Sequence, residues 1–402
     1  MKILLLTQWF EPEPTFKGLL FAQALRDEGH EVEVLTGFPN YPGGKVYDGY
    51  KIMPYTKEVM DGIVVHRAPL YPSHDSSALK RVFNYISFAV SSFVIGLIKT
   101  RNIDVIYSYH PPLTTSLSAT MLALFKRIPF VVDIQDLWPD TLAVTGMVNN
   151  KKVLKIVDSV CHMVYRRASK IVVLSPGFKA RLLSRGVPEN KVEVIYNWCN
   201  ETALNDYAVS SVKLPENDKL NLIFAGNLGF AQGLPAIVDA AEILMREGVP
   251  VNIVLVGDGV AKLDAIARSQ EKGLDNIYFL PRVPMSEVGS LLSTSDILLV
   301  HLNDEDLFRI TIPSRTQANL AMGKPIVMGV KGDAADLIDL AGAGITCEPN
   351  NPTSLAGAIQ QLLVISPQER ELMGQNAKKF YYEKLSLKNG VSHFISIFEE
   401  IQ

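Results

Sequence analysis

Cysteine is scarce in this chain. Cys161, Cys199 and Cys347 are three in 402 residues, odd in number and far apart. They exclude a disulfide framework and zinc-finger spacing, and they fit a reducing compartment. The seven histidines are scattered and never form His-Glu-x-x-His or a comparable ligand set, so no metal is expected. The acidic run Asp304-Glu305-Asp306 could grip a metal–nucleotide, but in a polar loop it reads more simply as solvated charge. Charged residues make up 20% and the formal net charge is -3, too little basic surplus for a nucleic-acid binder. Low-complexity segments and short repeats are absent, which excludes solenoids and disordered tails. At the start, Ile3 to Thr7 is a short apolar-rich run before Trp9, Glu11 and Glu13. That is too brief for an export signal and has the length of a buried strand.

What is present is ordinary globular material: 48% hydrophobic residues in a chain long enough for two or three domains. The charge is divided unevenly. Residues 1–200 carry 23 Lys/Arg against 17 Asp/Glu, and residues 201–402 carry 16 against 25. A basic half followed by an acidic half points to two domains with different partners. The basic one suits a phosphorylated substrate or an anionic membrane surface.

Apolar strand patterns at 2–7, 31–36, 63–67, 104–109, 129–133, 170–174 and 192–195 alternate with helical stretches near 17–29, 79–101, 114–126, 151–168 and 176–185. Fully apolar strands in this rhythm mean a parallel sheet covered on both faces. The rhythm breaks over the polar stretch 197–218. It restarts with strands at 219–225, 251–256, 277–280, 296–301, 325–328 and 344–346. The expected fold is therefore α/β: two consecutive Rossmann-like domains facing across a cleft, over 1–200 and 201–382. A helical tail, 383–402, is expected to pack back on the first domain. Ligands of such sheets bind at the carboxyl ends of the strands, which selects the loops to inspect.

Thr311-Ile312-Pro313-Ser314-Arg315-Thr316 opens a short helix that stops at Gly323-Lys324-Pro325. A helix N-terminus with free amides, the hydroxyls of Ser314 and Thr316, and the fork of Arg315 make a diphosphate seat, or else an ordinary capped helix with a surface arginine. The glycine-rich run Gly226-Asn227-Leu228-Gly229-Phe230-Ala231-Gln232-Gly233 follows a strand and permits close backbone approach to a ligand, or serves only as a tight turn. Gly257-Asp258-Gly259 begins like a dinucleotide fingerprint. Lys262 stands where the third glycine belongs, so a nicotinamide site is disfavoured.

In the first half, Lys17-Gly18 opens a helix. One strand ends at Tyr109-His110-Pro111-Pro112, and another at Asp133-Ile134-Gln135-Asp136-Leu137-Trp138. His110 and Asp136 are the candidates for acid–base work or for gripping sugar hydroxyls, against a plain role in capping and turns. Residues 37–62, with Tyr41, Tyr47, Tyr50 and Tyr55, read as a long loop. Val82 to Ile98 is 17 residues without charge, flanked by Lys80-Arg81 and Lys99. It sits between two strands of one sheet, so a sheet-covering helix is expected, part of which could touch a bilayer together with the lysine-rich helix 151–170.

These segments, in this order, resemble the family 4 glycosyltransferases of GT-B fold along essentially the whole chain. The resembling parts are Lys2–Thr7, Lys17-Gly18, Gly29 to Thr36, Gly226 to Gly233, Gly257-Asp258-Gly259 and Ala321-Met322-Gly323-Lys324-Pro325. Asp136 to Asp140 and Phe38-Pro39-Asn40-Tyr41-Pro42 are similar to the bacterial O-antigen and capsule branch, which includes L-fucosamine (N-acetylfucosamine) transferases. The resemblance implies a UDP-sugar donor held by the second domain, with no further cofactor and no metal. It also implies retention of anomeric configuration, and a lipid-diphosphate-linked saccharide acceptor met by the first domain at the cytoplasmic face of the plasma membrane.

By the same resemblance, Arg282 and Val283 lie where the nucleotide base is held; with the helix start read above, Gly18, Asn227, Gln232, Gly257, Ser314, Arg315 and Thr316 are the candidate donor-binding residues. The chain also departs from the family pattern. A Glu-x7-Glu pair is replaced by Ile310 and Ala318. Asn227 and Gln232 replace an arginine and a lysine, and Gln135 replaces a histidine. Arg315, or Arg309 nearby, is the expected substitute cation. Two other readings share the layout: a nucleotide-sugar 2-epimerase, and a nucleotide-sugar-binding protein without activity.

Overall fold

The computed structural model describes residues 1–73 and 78–402 and divides into two compact units. One comprises Met1–Leu174, Phe178–Ile195 and Val391–Gln402; the other comprises Ser175–Gly177 and Tyr196–Gly390.

The first unit is built on an eight-stranded sheet. Its strands are β1 (Lys2–Leu6), β2 (Glu31–Gly37), β3 (Thr56–Met60), β4 (Ile63–Ala68), β5 (Val105–His110), β6 (Phe130–Ile134), β7 (Lys170–Val173) and β8 (Val192–Val194), in the order β3-β4-β2-β1-β5-β6-β7-β8. The helices are α1 (Leu19–Asp27), α2 (Ala78–Lys99), α3 (Leu113–Lys126), α4 (Asp140–Val144), α5 (Lys151–Arg167) and α6 (Pro176–Ser184). Strands such as β6 and β7 are buried at every position, because helices cover both faces of a parallel sheet.

The second unit opens with the short α7 (Glu201–Asn205), inside the stretch read from sequence as an irregular linker. Its six-stranded parallel sheet contains β9 (Leu220–Ala225), β10 (Val251–Val256), β11 (Ile277–Leu280), β12 (Ile297–His301), β13 (Ile326–Gly329) and β14 (Gly344–Thr346), ordered β11-β10-β9-β12-β13-β14. The remaining helices are α8 (Leu234–Arg246), α9 (Lys262–Glu271), α10 (Met285–Ser293), α11 (Asp306–Arg309), α12 (Ser314–Met322), α13 (Asp333–Ala341), α14 (Pro352–Val364), α15 (Pro367–Phe380) and α16 (Leu387–Glu400). The neighbours β9 and β12 lie on either side of the point where the strand order reverses, and a ligand crevice opens at such a point.

One expectation needs correction. The stretch 37–62 is not all loop, because its last residues form β3, antiparallel to β4 across a turn with Asp61 at φ 47° and Gly62 at φ 86°. Its sequence, Thr-Lys-Glu-Val-Met, alternates half-buried and exposed positions at the sheet edge, so no apolar run announces it. The front of the stretch is tied down by Glu13. This buried carboxylate accepts from the amides of Asn40 and Tyr41, each at 2.7 Å, and from that of Phe10 at 3.2 Å.

The C-terminal part of α16 belongs to the first unit. Phe394 meets the rings of Phe21 and Tyr107 with centroids 5.2 and 5.5 Å away. It also covers a buried ion pair, Lys17 Nζ to Asp133 Oδ2 at 2.5 Å, with Lys17 Nζ 4.8 Å from the Phe394 ring centre.

Candidate active site

In the second unit, three adjacent parallel strands deliver their carboxyl ends to one place. The loops after β9, β10 and β11 bound a cavity of about 340 Å³ lined by Ala225, Gly226, Asn227, Val256, Gly257, Asp258, Arg282, Val283, Met285 and Val288. The loops can approach closely because of their glycines. A Cβ on Gly257 (φ 145°) would stand 1.9 Å from the carbonyl oxygen of Gly226. Lys262, where the fingerprint has its third glycine, has a different role. Its ammonium donates to the carbonyls of Gly257 (2.7 Å) and Leu280 (3.2 Å), pinning the ends of β10 and β11 together.

Helix α12 reaches towards this cavity through Arg315, whose guanidinium lies beside Gly226. Pro313 precedes the helix, and the Thr316 amide donates to the Pro313 carbonyl at 2.8 Å. The amides of Ser314 and Arg315 are the free donors that any helix start leaves over. The Arg315 guanidinium lies over the Phe224 ring, with Cζ 3.9 Å from its centre. Its Nη2 is 3.2 Å from where a Cβ on Gly226 would be, so the glycine makes room for the fork. Nη1 of Arg315 and Oγ1 of Thr316 are buried without a hydrogen-bond partner among the described residues. Burial pulls the Arg315 pKa down to about 10, which still leaves it a cation at neutral pH. A desolvated cation and a hydroxyl, both unsatisfied at a helix start, are the donor set for an anion with several oxygens.

His301, at the end of β12, was not singled out from the sequence. It is buried, its Nδ1 lies 2.8 Å from the Gln232 carbonyl, and its Nε2 accepts from the Asn350 amide at 3.4 Å. Those two bonds fix the Nδ1–H tautomer. Burial, with Arg315 as a minor cause, lowers its pKa and keeps the ring neutral. Its position at a strand end was the available signal; its partners come from loops distant in sequence.

The other expected donor residues fall as follows. Gln232 is buried, and its Oε1 accepts from the Gly229 amide at 2.9 Å, so this side chain holds the loop in shape. Asn227 is exposed at the cavity rim. Arg309 is exposed on α11, where it pairs with Asp304 at 2.8 Å and Asp306 at 3.7 Å. Asp304, held below the usual carboxylate range first by Arg309, also meets Lys331 at 3.3 Å. Two of the three carboxylates in the run 304–306 are thus engaged by cations of the chain itself. Ile310 packs against Gly177, and its carbonyl accepts from the Ser175 hydroxyl at 2.6 Å. Ala318 packs against the core of the second unit.

In the first unit, Asp136 and His110 stand near the carboxyl ends of β6 and β5. His110 is fully buried against Trp138, ring centres 5.5 Å apart, with neither ring nitrogen partnered among the described residues. Burial lowers its pKa to about 3, so it is neutral at pH 7. Asp136 is half-buried, and burial raises its pKa. Gln135 donates to Asp133 Oδ1 at 2.6 Å, on the carboxylate that also receives Lys17 and Tyr107. Gly18 lies at the start of α1, whose Leu19 amide donates to Glu11 Oε2 at 2.9 Å. That helix end is filled by the chain's own carboxylate.

Residues 19–198 match the glycosyl transferase 4-like domain, and residues 208–380 match glycosyl transferases group 1. With two Rossmann-like sheets, the chain belongs to the family 4 glycosyltransferases of GT-B fold. Among its relatives is WcaI of Escherichia coli (strain K12), whose name provisionally assigns it to colanic acid biosynthesis. The two are 28% identical over 98% of this chain and 99% of WcaI. The fold is shared with an Escherichia coli trehalose-6-phosphate structure bound with UDP-2-fluoro glucose (TM-score 0.73, 13% identity, all of both chains). It is also shared with Anabaena HepE in complex with UDP and glucose (TM-score 0.66, 16% identity, 99% of both chains).

Proposed function

We propose that the enzyme transfers a glycosyl group from a UDP-sugar to a lipid-diphosphate-linked saccharide during synthesis of a surface polysaccharide of the O-antigen or capsule type. The donor sugar is N-acetyl-L-fucosamine or another N-acetylated hexose. The observation that carries the reading is Arg315, whose guanidinium lies beside Gly226 at the cavity with Nη1 unpartnered among the described residues. In this reading the uracil lies against Arg282 and Val283, and the diphosphate rests on the amino end of α12.

Cleavage of the anomeric bond leaves negative charge on the departing diphosphate. Arg315 and the amides of α12, preorganised in a desolvated place, stabilise that charge as it grows. No metal step is invoked, and the anomeric configuration is retained. Asp136, whose raised pKa makes it a better proton acceptor than an ordinary carboxylate, orients the donor sugar or takes the acceptor's proton. The relative named for colanic acid biosynthesis supports a polysaccharide setting.

The test is a panel of nucleotide sugars screened for thermal stabilisation, followed by mass spectrometry with a prenyl-diphosphate-saccharide acceptor and excess chelator. A product heavier by one sugar, formed despite the chelator, is expected. Stabilisation by UDP with no transfer to any such acceptor, or conversion of the donor alone into an epimer, would overturn the proposal.

A further inference from the structure

The first unit carries an exposed apolar and basic surface apart from the candidate site residues. Helices α2, α3 and α5 pack side by side on one face of its sheet. On α2, Leu79, Val82, Phe83, Ile86, Val90, Val94, Leu97 and Ile98 are exposed. Their spacings of mostly three and four residues put them on one stripe of the helix. The opposite stripe is fixed in the protein: Phe88 and Ser92 are fully buried, Asn84 accepts from Gln8 and donates to the Tyr71 carbonyl at 2.7 Å, and Ser92 meets Ser118 of α3 at 2.8 Å.

The apolar stripe continues onto α3. Phe93 stacks edge-on with Phe125 at 5.4 Å, and Leu124 and Phe125 are exposed, the latter at 66%. On α5, Ile156 is 64% exposed, beside a shallow groove of about 480 Å³ framed by Lys152, Lys155 and Met163. By length and composition α2 could cross a membrane, but a helix packed along one side cannot leave the sheet to do so.

Charge decides what covers this face. The three helices carry nine Lys/Arg and one acidic residue, Asp158. A second copy of the chain would bring the same cations against these. A negatively charged bilayer surface answers both the apolar stripe and the lysines.

We infer that the α2–α3–α5 face lies in the plane of an anionic lipid bilayer, with Phe83, Ile86 and Phe125 in the acyl boundary and Lys151, Lys152 and Lys155 at the headgroups. The inference does not depend on the identity of donor or acceptor.

The test is flotation of the full chain with vesicles of phosphatidylcholine alone and of phosphatidylcholine mixed with phosphatidylglycerol, at low and high salt. Binding only to the mixed vesicles, weakened by salt, is expected. Lys151→Gln, Lys152→Gln and Lys155→Gln together should reduce the partition coefficient on the order of a hundredfold. Phe83→Ser with Phe125→Ser should reduce binding at both salts while leaving the melting temperature of the protein unchanged, since both side chains are exposed. Binding to anionic vesicles that neither variant alters would overturn the inference, as would no binding at all. So would a stable dimer by light scattering that the phenylalanine variants dissociate, or protein that alkaline carbonate cannot release.

Discussion

Arg315 holds a charge that the ligand-free protein would be more stable without. Its guanidinium rests on Phe224, one nitrogen has no partner among the described residues, and burial lowers its pKa to about 10. A desolvated, unpaired cation costs stability, and an anion recovers that cost on binding. We therefore expect Arg315→Leu to weaken UDP binding on the order of a hundredfold by calorimetry. The melting temperature of the ligand-free variant should not fall. Arg315→Lys should restore charge without the fork and recover only part of the affinity. The residue was legible in the sequence because Pro313-Ser314-Arg315-Thr316 spells a helix start. The neutral, doubly bonded state of His301 was not, since it depends on Gln232 and Asn350. Nor was the filling of the α1 terminus by Glu11, eight residues before the amide it caps.

His110 gives a second test at this scale. Its folded pKa, about 3, is far below the ordinary value of 6.5, so between those pH values the unfolded chain takes up a proton that the folded chain refuses. Stability from this group is complete above pH 6.5 and falls as the pH drops toward 3, by at most about 1.4 kcal/mol per pH unit. His110→Phe should flatten that part of the profile, read as urea unfolding of the first unit at pH 6 and pH 5. An unchanged slope would mean that the imidazole already finds a partner in solution.

The elements that shape the donor cavity are strand ends brought together by backbone contact. Because a Cβ on Gly257 would meet the Gly226 carbonyl, Gly257→Ala should cost about 1–3 kcal/mol through forced displacement of the two loops. It should weaken UDP binding in step, as measured by denaturation and calorimetry on the same protein. Glu13→Gln should destabilise the first unit by about 1–3 kcal/mol, because a buried carboxylate serving three amides loses acceptor capacity. At this scale the sequence was readable where strands are buried on both faces, as in β10, whose six residues are all apolar or fully enclosed. It was unreadable at β3, an edge strand with Lys57 and Glu58 in its middle, whose pairing depends on β4.

For the molecule as a whole, the fold was legible because two runs of alternating apolar strands and helices, separated by a polar stretch, favour two largely parallel sheets covered by helices. The site was half legible. Strand-end loops and one helix start pointed to the second unit, whereas the assignment of Arg309 to the donor rested on proximity in sequence. In the structure that arginine is engaged with Asp304 on the exposed α11. The first unit's role rests on Asp136, so Asp136→Asn should lower turnover at least about a hundredfold while leaving UDP affinity unchanged. Loss of affinity in parallel would move Asp136 from chemistry to folding.

A crystal structure with uridine diphosphate bound tests the central claim most directly. The diphosphate should lie within hydrogen-bonding distance of the Arg315 guanidinium and the amides of Ser314 and Arg315, with the uracil beside Val283. A diphosphate bound elsewhere, with Arg315 still stacked on Phe224 and touching nothing, would contradict it.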